Sequence, residues 1–88
     1  MLYVITHDCR TAADHQRASA YLQSITKSLW THIDGVWFVE TGRSGVDLRQ
    51  GLSNALAPGA QIVVAMLAGF AAWQGLDSET EIWLARHL

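Results

Sequence analysis

The sequence predicts an α+β domain, a ferredoxin-like β-α-β-β-α-β arrangement with a C-terminal helical tail, spanning residues 1–88 as a single unit. Three observations lead there. Short runs rich in Val, Ile, Tyr and Thr alternate with stretches of helical period. Cap and turn residues stand at the borders between them. The length of 88 residues suits one domain, since compact domains cluster near roughly 100–150 residues.

Each element has its own warrant. Residues 2–7, Leu-Tyr-Val-Ile-Thr-His, are strand-favouring and too few for a helix. Thr11 followed by Asp14 resembles a capping box. Ala18, Tyr21, Leu22, Ile25 and Leu29 then recur at the spacing of one helix face. Residues 29–33 read as a short extended piece ending at Asp34-Gly35, a hairpin dipeptide. Residues 36–41 form the next strand, and Gly42-Arg43-Ser44-Gly45 is a loop with Ser44 placed to cap toward Asp47. Val46, Leu48, Leu52, Ala55 and Leu56 line a second helix, stopped by Pro58-Gly59. Residues 61–68 make a fourth strand, and residues 69–76 are irregular and aromatic. Asp77 or Ser78 caps a final helix through His87, with Glu79 and Glu81 in the first turn, where the helix dipole favours them.

The strands are apolar on both faces: Leu2 and Val4 back onto Tyr3 and Ile5, and Val36 and Phe38 onto Trp37 and Val39. A strand with one wet face alternates instead. The two helices would cover one face, so something must cover the second, and in so short a chain that is the tail or a second copy. A small, apolar-rich domain has a high surface-to-volume ratio, which favours a homodimer.

Composition excludes several classes. Half the residues are hydrophobic and only 16% are charged, too apolar for intrinsic disorder. Cys9 is the single cysteine, so no disulfide scaffold exists. The longest apolar run, residues 62–68, is far short of the roughly 20 residues of a membrane helix, so no membrane partner is expected. Residues 1–5 show neither a basic leader nor a cleavage site and read as structure, which points to the cytoplasm. The net charge of −2, with scattered arginines, disfavours a tight grip on duplex DNA.

No P-loop, GxGxxG, HExxH or paired-cysteine spacing is present. The most suggestive cluster is His7-Asp8-Cys9-Arg10 at the end of the first strand. A carboxylate on a sheet rim suits a hard cation such as Mg²⁺, making Asp8 the candidate catalytic and metal-binding residue. The plainer alternative is that Asp8 caps a helix or pairs with Arg10 or Arg43. His7, Cys9 and His15 could hold zinc, although a lone His or buried Cys is more often packing. The Gly42–Gly45 loop leads into a helix N-terminus that could receive an anion. Arg10, Arg43, Trp30 and His32 form the candidate surface for single-stranded nucleic acid, where aromatic rings stack on unpaired bases. Trp37, Val39 and Trp73 are assigned to an interface between copies, since tryptophans in small apolar domains fill cores or interfaces.

The pattern Tyr3-Val4-Ile5-Thr6-His7-Asp8, Trp30-Thr31-His32 before Val36-Trp37-Phe38-Val39, and Leu67-Ala68-Gly69 with Trp73-Gln74-Gly75-Leu76 resembles small stand-alone members of the VapD and CRISPR-adaptation nuclease superfamily, the SinR-like or "Cas-two"-like chains. The resemblance reaches to about Leu76. It implies a ferredoxin-like fold, a homodimer formed through the sheets, and Mg²⁺ held between two copies of Asp8 to hydrolyse a phosphodiester. His7-Asp8 departs from the commoner Tyr-Asp pair. Relatives that serve as scaffolds or toxin-type RNases imply the alternative: a non-catalytic dimeric scaffold or interaction module of a defence or toxin–antitoxin system, with an operon-encoded protein partner.

Overall fold

A computed structural model describes residues 1–9, 11–26, 28–68, 72 and 74–87, the side chain of His32 excepted. Arg10 and Trp73, assigned to nucleic acid and to an interface, lie outside the described residues. The architecture is a small α+β fold, a four-stranded antiparallel sheet with three helices. In chain order these are β1 (Leu2–His7), α1 (Ala12–Ile25), β2 (Ser28–Ile33), β3 (Val36–Glu40), α2 (Gly45–Ala55), β4 (Ile62–Met66) and α3 (Ser78–His87). The sheet runs β2-β3-β1-β4, so β1 and β3 are central and β2 and β4 are the edges.

Local chemistry sets the borders. The hydroxyls of Thr11 and Ser44 each accept the backbone N–H three residues on, at 3.1 Å, satisfying donors that a helix start leaves orphaned. The Asp77 carboxylate does the same for Thr80 at 2.8 Å, which makes Asp77 the cap of α3. Asp34-Gly35 turns β2 into β3, with Gly35 at φ 76°, a conformation that glycine adopts without steric cost. Two borders differ from the sequence expectation. Leu29, counted on the helix face as well as in the extended piece, lies only in β2, opposite Val39, because α1 ends at Ile25 with Thr26 as its C-cap. Helix α2 stops at Ala55, before Pro58, and Arg17 donates from Nε to the Ala55 carbonyl at 2.9 Å, a cation at the negative end of the helix dipole.

One sheet face carries Tyr3, Ile5, Trp37 and Val39, and Ala18 and Leu22 of α1 with Leu48 and Leu52 of α2 close over it. Trp37 is 4% exposed and Val39 fully buried in this intrachain core. Neither presents a surface to a second copy, because the two helices already fill the space above them. On the opposite face α3 covers the β2-β3 half. Trp30 is buried and donates from Nε1 to Thr80 Oγ1 at 3.1 Å, while Phe38 lies against Trp30 and Trp83 with centroids 5.2 and 6.4 Å away. The tail thus supplies part of the second-face cover. Among the described residues the β4 edge receives no such cover: Val63 is 62% and Met66 58% exposed.

Candidate functional site

Asp8 directly follows β1 and extends its pairing with β4 by one rung. Its N–H donates to the Gln61 carbonyl at 3.2 Å, and its Oδ1 accepts the Gln61 N–H at 2.8 Å. The carboxylate therefore replaces the backbone carbonyl that would otherwise close this rung, fastening the start of β4 to the end of β1. No helix N-terminus and no described arginine takes it. Among the described residues no three His, Cys, Asp or Glu side chains come together to hold a metal. One chain therefore brings the Asp8 carboxylate, with Oδ1 on the Gln61 N–H and Oδ2 left over, and a magnesium ion there would draw its remaining ligands from water, substrate or a second copy.

His7 points to the helix-covered face. Its ring stacks on Trp37 with centroids 3.8 Å apart and meets His15 edge-on at 5.3 Å. Nδ1 accepts the Cys9 N–H at 3.2 Å, and Nε2 is buried without a hydrogen-bond partner. Burial, then the neighbouring His15, holds the His7 pKa below the usual imidazole value, outweighing Asp8 and Asp34. His15 Nε2 lies 3.2 Å from the Cys9 carbonyl, which can only accept, so that nitrogen carries the proton. Burial, then Asp14 and Asp8, pushes the Cys9 thiol up, away from the reactive thiolate.

An open cleft of about 600 Å³ lies beside this strand end, lined by His7, Asp8, Arg49, Ser53, Pro58 and Gln61 among others. Arg49 and Ser53 stand one helical turn apart on α2. The sequence signals that i, i+4 pair but gives no link to Asp8, which depends on a contact 53 residues long. Among the described residues Ser53 has no hydrogen-bonded base, so the cleft contains no assembled nucleophile.

Of the candidate nucleic-acid residues, the structure describes the side chains of Trp30 and Arg43. Trp30 is buried under α3 and is no stacking platform, a correction that follows from its bond to Thr80. Arg43 is exposed in the loop after β3, where its carbonyl accepts the Tyr3 hydroxyl at 2.8 Å. That is the opposite end of β1 from Asp8, about 20 Å away for a strand of this length. His32 belongs to β2, and its side chain lies outside the described residues. No helix among the described residues is long and apolar enough to cross a membrane. No family model, curated protein or solved structure matches this chain.

Proposed function

We propose that the chain is a ferredoxin-like, homodimeric interaction module of the VapD and CRISPR-adaptation kind, a non-catalytic cytoplasmic scaffold in a bacterial defence or toxin–antitoxin system. The sheet order β2-β3-β1-β4, with its two interleaved β-α-β units, supports the ferredoxin-like reading. One observation carries the functional reading: Asp8 Oδ1 accepts the Gln61 N–H as a strand fastener, and among the described residues no group of three His, Cys, Asp or Glu side chains gathers to hold a metal.

A second reading keeps Asp8 as the centre of an Mg²⁺-dependent phosphodiester hydrolase, completed by Asp8 of another copy. Its support is that Asp8 shares the rim of the 600 Å³ cleft with Arg49, a cation suited to a phosphate. Thermal melts of the wild type and Asp8→Asn, with and without Mn²⁺, together with cleavage assays on single-stranded RNA and DNA, separate the two. The scaffold reading expects a melting point indifferent to Mn²⁺ and no cleavage. It also expects Asp8→Asn to fold, because an amide oxygen still accepts from Gln61. Mn²⁺-dependent cleavage that Asp8→Asn abolishes overturns it.

A further inference from the structure

The two sheet edges are built differently. β2 carries Ser28, Thr31 and His32, and its pairing with β3 slips between Trp30 and Ile33, an irregularity of the kind that blunts an edge against further pairing. β4 is Ile-Val-Val-Ala-Met, regular throughout, without charge, proline or bulge. Its free backbone groups follow from the register. Asp8 and Leu67 donate to Gln61 and Leu2 respectively, so the residues of β4 that bond β1 are the odd-numbered ones. Ile62, Val64 and Met66 turn their N–H and C=O groups away from the sheet. Around them stand exposed apolar side chains: Val63 on one face, and Val46, Met66 and Met1 on the other. Two clefts, of about 600 and 530 Å³, open along this strand, and Arg49 of α2 lines both.

We propose that the β4 edge is the docking surface for β4 of a second copy, joining two sheets into one antiparallel sheet of eight strands across a two-fold axis at Val64. The proposal rests on the interaction-module reading and supplies its surface. The strand is its own complement. An antiparallel two-fold at Val64 sets Ile62 against the partner's Met66 and Val64 against the partner's Val64, about six main-chain hydrogen bonds between groups that otherwise face water. Val63 meets the partner's Ala65, so every cross-strand pair is apolar. Charge selects the same occupant. From residue 48 to residue 76 the chain has no Asp or Glu, and Arg49 is its single charged residue. A basic peptide finds only Asp8, at the far end of one cleft and already on the Gln61 N–H, and nucleic acid finds one cation, whereas a neutral strand meets a neutral strand without penalty. The geometry also separates this dimer from a shared metal. Asp8 is level with Gln61, so the two Asp8 residues lie ~25 Å apart, counting about 3.4 Å per residue and about 4.8 Å per strand.

Sedimentation equilibrium of the full chain over micromolar to millimolar concentration tests this, with Met66→Pro, Val63→Lys and, as control, Ile82→Lys on exposed α3. Met66 directs its N–H outward, so proline removes a partner bond and leaves every β1 bond in place. Val63→Lys places a charge beside the axis at a solvent-exposed position and keeps the proposal testable if Met66→Pro fails to fold. The expected result is a wild-type and Ile82→Lys dimer, with the dissociation constant raised at least tenfold in both β4 variants. A monomer throughout, a dimer indifferent to Val63→Lys, or a monomer whose β4 instead takes up an extended peptide overturns the proposal. So does a dimer tightened by Mn²⁺ and loosened by Asp8→Asn, which would overturn the module reading as well. A dimer that forms through another surface, without any cleavage activity, would overturn the β4 proposal and leave that reading standing.

Discussion

Because the Cys9 N–H donates to His7 Nδ1, the neutral ring of His7 carries its proton on Nε2, where burial leaves it without a partner. Charging this ring places a cation in a site that burial and His15 both oppose, so the folded chain takes the proton at lower pH than the unfolded chain does. The sign follows from linkage. Below the ordinary imidazole value near 6.5 the unfolded state binds more protons, so stability falls as pH drops through that region toward the folded value. Thermal melts from pH 7.5 to 5 should show this loss, and His7→Gln should flatten the slope. An unchanged slope in His7→Gln would place the acid sensitivity elsewhere. The identity of His7 was legible in the sequence as part of a strand-end cluster. Its stacking on Trp37 was not, because that contact depends on the pairing of β1 with β3.

Helices α1 and α2 touch where α2 has no side chain. A Cβ added at Gly51 would lie 2.0 Å from the Tyr21 ring, so the glycine is what lets Tyr21 lie across α2. Alanine in mid-helix ordinarily gains roughly 0.5–1 kcal/mol over glycine. Here that gain is opposed by displacement of the ring. Gly51→Ala should therefore destabilise the wild type but stabilise a Tyr21→Ala background by about 0.5–1 kcal/mol, and urea unfolding of the four proteins reads the change of sign. Stabilisation in both backgrounds would mean that the contact is loose. At this scale the sequence spoke most clearly about ends: Thr11, Ser44, Asp77 and Asp34-Gly35 act locally and were visible as caps and a turn. Leu29 drew both readings because an apolar residue four beyond Ile25 fits a helix face as well as the start of a strand, and only the cap at Thr26 decides for the strand.

For the whole molecule, the two-faced apolarity of the strands raised the question of what covers the second face. The answer is divided. Helix α3 closes over Trp30 and Phe38, and among the described residues nothing covers the β4 edge, where Val63 and Met66 are exposed. The sequence could not apportion that cover, since both the α3 contact and the order of strands depend on pairings 50 or more residues apart. It also drew Trp37 and Val39 toward an interface, whereas α1 and α2 enclose them. The central claim is that β4 pairs with its own copy, and backbone amide exchange within that strand reads it directly. Val63 and Ala65 donate toward β1 and should exchange slowly at any concentration, which provides an internal reference. The account predicts that Ile62, Val64 and Met66 exchange fast in dilute solution and become protected together as concentration rises. Fast exchange of these three amides at every concentration would contradict it.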